Sequence, residues 1–93
     1  MEKCYIISGR VQGVGFRYWL VHQVKAIGEI SGYVCNLSSG DVGVYAKGDA
    51  LKIQELLVLL YKGPLWARVD NVVEAVECKQ FFPPIENGVF KRL

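Results

Sequence analysis

With 93 residues, 52% hydrophobic and 22% charged, the chain has apolar material for one packed domain, residues 1–93, and too little length for two. A net charge of +2 excludes the broad basic footprint of a nucleic-acid binder, and no apolar run approaches the ~18 to 20 residues that cross a bilayer, the longest being Leu56 to Tyr61. Cys4, Cys35 and Cys78 are odd in number and far apart, with no C-x-x-C pair, so neither a disulfide framework nor a zinc site is indicated; three reduced thiols are favoured, with a Cys4–Cys35 bridge open if their strands lie side by side.

The chain begins with Glu2 and Lys3 ahead of Cys4 to Ile7 and lacks the long apolar segment of a signal peptide, so a cytoplasmic location is expected. Lys3 to Ser8 reads as a strand whose apolar block, Tyr5, Ile6 and Ile7, suggests burial on both faces and a central place in a sheet. Directly after it comes Gly9-Arg10-Val11-Gln12-Gly13-Val14-Gly15-Phe16-Arg17, leading into a helical pattern. Glycines before a helix let backbone N–H groups curl inward as an anion nest at the positive end of the helix dipole, and Arg17 adds a formal charge. Between Lys3 and Gly28 the cations are Lys3, Arg10, Arg17 and Lys25, with no Asp or Glu. The loop is not a Walker loop, which needs Gly-Lys before Ser or Thr, nor a dinucleotide fingerprint, whose G-x-G-x-x-G spacing is absent. By its physics alone it is a single-phosphate cradle or a plain turn, and both readings stand.

Phe16, Leu20, Val24 and Ile27 share a helical face, predicting a helix from Arg17 to Ile27 that Gly28 ends. Gly32 to Leu37 is a second strand, and the alternation of Val42, Val44 and Ala46 gives a third, with Ser38-Ser39-Gly40-Asp41 as the hairpin turn. Asp49 caps a second helix whose stripe is Ile53, Leu56, Leu57 and Leu60, and Gly63-Pro64 stops it. Ala67 to Lys79 is expected as a fourth strand, with Gly88 to Arg92 a short last one. The fold class is therefore α+β: a βαββαβ two-layer sandwich with a mainly antiparallel four-stranded sheet and two helices on one face.

Gly9 to Arg17 closely resembles the signature of the acylphosphatases. Gly32-Tyr33-Val34-Cys35-Asn36, Gly40-Asp41-Val42, Gly48, Gly63-Pro64 and Arg68-Val69-Asp70 extend the likeness in order along most of the chain. The resemblance implies a ferredoxin-like fold and a small enzyme that hydrolyses the carboxyl-phosphate anhydride by in-line attack of water, with no metal or cofactor. It implies that Arg17 binds the phosphate, that Asn36 orients the attacking water, and that Gln12, Gly13, Val14, Gly15 and Phe16 form the loop whose amides hold phosphoryl oxygens. It further implies an acyl phosphate substrate, inorganic phosphate as product and competitive inhibitor, no nucleic-acid or membrane partner, and a monomer. The chain departs from the family pattern at Val24, Leu37 and Ser39 and carries one extra residue between Gly28 and Gly32; none of these removes a reacting group.

The equipment suits that reaction. An acyl phosphate leaves as a carboxylate whose conjugate acid has a pKa of about 4, so no proton need be donated, unlike the case of a phosphate monoester. Asn36 as a hairpin cap, Arg10 as a surface charge, His22 on another side of the helix, and Asp41 and Asp70 as turn residues are the plain readings beside it. Tyr18, Trp19 and Trp66 read as packing or rim residues. The alternative from another class is a non-catalytic ferredoxin-like anion- or partner-binding module. An RNA reader of that kind needs exposed aromatics on its strands, for which Tyr5, Tyr33 and Tyr45 are the candidates.

Overall fold

The computed structural model describes residues 1–93 as β1 (Glu2–Arg10), α1 (Phe16–Ile27), β2 (Ser31–Asn36), β3 (Val42–Lys47), α2 (Ala50–Lys62), β4 (Arg68–Glu74), a 3₁₀ helix (Val76–Phe81) and β5 (Phe90–Arg92). The strands form one sheet in the order β4-β1-β3-β2-β5, antiparallel except where β5 runs alongside β2. This is the expected α+β ferredoxin-like arrangement, widened by one short edge strand to five. β1 lies inside the sheet because its apolar block serves both faces: Tyr5 and Ile7 pack beneath the helices, while Cys4 faces the other way. From the helices, Phe16, Leu20 and Val24 meet Ile53, Leu56 and Leu60 over Val34, Val42 and Val44. The Asp49 carboxylate caps α2 by accepting from the Lys52 N–H at 2.9 Å, and the Gly63 N–H closes its far end on the Leu59 carbonyl.

The fourth strand is shorter than its valine pattern predicts. β4 ends at Glu74, the Ala75 N–H still donates to the Cys4 carbonyl at 2.8 Å, and the chain then coils across the sheet face opposite the helices. What draws it there is apolar surface. Cys4, Tyr33, Tyr45, Ala75 and Cys78 form a second buried cluster, with Ile6, Phe82 and Ile85 against it. Phe82 stacks on Tyr33 at 6.3 Å, and the Tyr33 hydroxyl donates to the Pro84 carbonyl at 2.6 Å. Tyr45 donates to the Glu2 carboxylate; that bond, with burial, pushes the Tyr45 phenol up to about 12, and the same bond, helped by the Lys79 charge and opposed by burial, holds Glu2 below the usual carboxylate range. The tyrosine platform that an RNA reader requires is therefore absent: Tyr5 is 4%, Tyr33 2% and Tyr45 8% exposed.

The expectation of three reduced thiols is overturned. Cys4 is bonded to Cys78, their Cα atoms 6.0 Å apart, and only Cys35 is free. A Cys4–Cys35 bridge fails on strand order, because β3 lies between β1 and β2. The bond spans 74 residues of sequence, so reducing it is expected to lower the unfolding free energy by about 2 to 4 kcal/mol by freeing the denatured chain. Urea denaturation with and without a phosphine reductant checks this; coincident curves would show that the bond contributes nothing.

Candidate active site

The site begins where β1 leaves the sheet. Its register with β4 shifts between Ser8 and Gly9, and a Cβ at Gly9 would collide with the Arg68 carbonyl, so only glycine permits the approach. Val11, buried at 1% exposure, anchors the next residue in the core. Gln12 turns its side chain sideways, its Nε2 donating to the Leu37 and Asp41 carbonyls at 2.8 Å each. Those carbonyls belong to the β2–β3 hairpin, closed by the Leu37 N–H on the Asp41 carbonyl at 2.9 Å. One glutamine thus ties the loop to the hairpin that carries Asn36.

Gly13 and Gly15 then adopt left-handed backbone, φ 72° and 79°, which a β-carbon would strain. Gly15 is the N-cap of α1, and its carbonyl takes the first helical hydrogen bond, from the Trp19 N–H at 2.9 Å. The N–H groups of Gln12 to Gly15 donate to no backbone acceptor, and those of the first helical turn, Phe16 to Tyr18, are the ones a helix leaves unpaired. No acid stands in that turn. The result is a run of unpaired donors at the positive end of a helix.

Arg17 stands in the same turn, half-buried. Its Nη1 donates to the Leu93 carbonyl at 2.8 Å, which fixes the fork while leaving four N–H donors for a ligand. Gly13, Gly15, Phe16, Arg17 and Asn36 line one small cleft of about 100 Å³. Of the remaining loop residues, Gln12 braces the hairpin and Val14 packs against the core. Arg10 is exposed at the end of β1, outside the cleft, and His22 is exposed with its ring 4.5 Å from that of Tyr18. Asp41 accepts from Ser39 Oγ at 3.0 Å, and Asp70 pairs with Arg68 on β4.

Sequence reasoning missed Arg92. The parallel pairing of β5 with β2 brings it to the cleft, where its guanidinium carbon lies 5.8 Å over the Tyr18 ring. Two arginines therefore line the cleft and no acidic residue does. Beside Asn36, burial pushes the Cys35 thiol up, against the opposing pull of a Gly43 backbone hydrogen bond and the Arg17 charge. It stays a neutral thiol at neutral pH and a poor nucleophile.

The chain resembles known proteins along most of its length. The acylphosphatase family model matches residues 3–82. An acylphosphatase of Vibrio vulnificus is 45% identical over 78 residues, 83% of this chain and 86% of its own. One of Acidiphilium cryptum is 40% identical over 92 residues, 99% of this chain and 96% of its own. Among solved structures, the acylphosphatase from Bacillus subtilis superimposes with a TM-score of 0.80 at 26% identity, over 99% of this chain and 97% of that one.

Proposed function

The chain belongs to the acylphosphatase family, and from that premise we propose that its cleft hydrolyses acyl phosphates to carboxylate and inorganic phosphate by direct in-line attack of water, with no metal or cofactor. The observation that supports the reading is a single cleft lined by Gly13, Gly15, Phe16, Arg17 and Asn36, beside loop amides that have no backbone acceptor. Arg17 grips two phosphoryl oxygens, and the amides from Gln12 to Phe16 take the third. These donors are fixed before the substrate arrives, so they hold the charge as the bond to the leaving oxygen lengthens without reorganising.

Asn36 holds the attacking water. Its amide accepts no proton at neutral pH, so it orients rather than acts as a base, and the phosphoryl group takes the proton. The departing carboxylate needs none, since its conjugate acid has a pKa of about 4. The proposal takes residues 1–93 as one domain acting as a monomer, and it is supported by all three parts coming from one chain. Inorganic phosphate, as product, competes for the same donors.

No helix is long and apolar enough to cross a membrane. A cytoplasmic location is part of the proposal. The Cys4–Cys78 bond is compatible with it because both residues are buried, at 2% and 0% exposure, away from attacking thiolates. The test is benzoyl phosphate with the enzyme in excess EDTA: hydrolysis continues and orthophosphate inhibits it competitively. Loss of turnover in EDTA, or indifference to orthophosphate, would overturn the metal-free cradle.

A further inference from the structure

A second and larger cavity, about 570 Å³, opens beside the phosphate cleft on the sheet face away from the helices. Asn36 lines both. Leu93 joins them as well, lining the cavity while its carbonyl accepts from Arg17. We propose that this cavity receives the acyl half of the substrate and selects uncharged apolar acyl groups; this rests on the hydrolytic reading above.

The cavity follows from the register of the sheet. Directly opposed residues on neighbouring strands point to the same face, so Cys4, Tyr45 and Tyr33 form one outward row and Ile6, Gly43 and Cys35 form the next. Phe82 and the 3₁₀ segment cover the first row. The second row has no side chain at its centre, where the Phe82 ring and Leu37 close over Gly43, and the cavity opens beside that cover, between Ile6, Cys35, Phe81 and Leu93.

The walls define what fits. Ile6, Leu37, Phe81 and Leu93 are apolar, and Cys35 is a thiol that its burial keeps neutral. The one charged side chain is Asp41, already engaged by Ser39. A carboxylate on the acyl group would meet that like charge, whereas a phenyl or branched aliphatic group would shed water against four apolar side chains. Two bonds separate phosphorus from the acyl carbon, and the bend at the bridging oxygen lets the acyl body turn off the line of attack, past Asn36, onto this face. Benzoyl phosphate therefore reaches the apolar walls of the cavity, and acetyl phosphate, with one methyl group, scarcely enters it.

The test compares these two substrates in the full chain. Cys35→Trp fills the floor, and Phe81→Ser, at a residue 55% exposed, removes a wall with little demand on the fold. Each variant is expected to raise KM for benzoyl phosphate, Cys35→Trp by about tenfold, while kcat/KM for acetyl phosphate stays within about twofold, since only the larger group loses apolar contact. Equal changes for both substrates, or no change with benzoyl phosphate in either variant, overturn the pocket while leaving the hydrolytic reading intact. A wild-type protein that cleaves neither substrate overturns that reading, and the pocket with it.

Discussion

Arg17→Gln is expected to fold as the wild type does and to hydrolyse benzoyl phosphate at least about 10² to 10³ times more slowly, the cost of losing one preorganised donor and a full charge besides. The fold should survive because the side chain is half-exposed, makes one hydrogen bond, to the Leu93 carbonyl, and lies outside the buried clusters. Glutamine keeps part of the length and polarity and discards the charge and the fork. Since the guanidinium grips the phosphoryl group in ground and transition states alike, the inhibition constant for orthophosphate should rise along with the loss of kcat. Arg17→Lys should restore little, because an ammonium supplies a point charge without two parallel donors. Circular dichroism and the urea midpoint verify folding; near-normal turnover in Arg17→Gln would remove Arg17 from the mechanism.

Asn36→Ala separates the water from the phosphate. Its kcat should fall by about 10² to 10³, the usual cost of removing one preorganised polar group, with KM and the orthophosphate inhibition constant nearly unchanged. The reason is the division of labour: the cradle and Arg17 hold the phosphoryl group, and Asn36 addresses only the nucleophile. The residue is exposed at the end of β2, so the truncation leaves the core untouched. If orthophosphate binding weakens as much as turnover, Asn36 is a phosphate ligand and the assignment of the water fails.

How much of this was legible in the sequence depends on the range of the interactions involved. The apolar block of β1, the Phe16-Leu20-Val24 face, the Asp49 cap and the Gly63-Pro64 stop are local features, and each lies where its pattern predicts. The loop glycines were legible for the same reason, because left-handed backbone before a helix is a property of a few residues. Cys78 was not. The valines from Val69 to Val76 favour an extended chain, and only the uncovered apolar row Cys4-Tyr45-Tyr33, assembled from three strands, bends it into a 3₁₀ helix and pairs Cys78 with Cys4.

The candidate site divides the same way. Arg17 and Asn36 were identified through motifs, and the structure brings both to one cleft. Gln12 was assigned for its amide alone, whereas its side chain reaches carbonyls 25 and 29 residues away, which no local pattern encodes. Arg92 arrives by a parallel strand pairing between the chain's last residues and β2, again a product of topology.

The account rests on an anion held by main-chain amides and one guanidinium, and a crystal structure with orthophosphate bound tests it most directly. It should show one phosphate against the amides of Gln12 to Phe16, with Arg17 Nη1 and Nη2 on two of its oxygens and a water between it and Asn36. A phosphate bound elsewhere, with the loop amides turned away and Arg17 making no contact to it, would contradict the account.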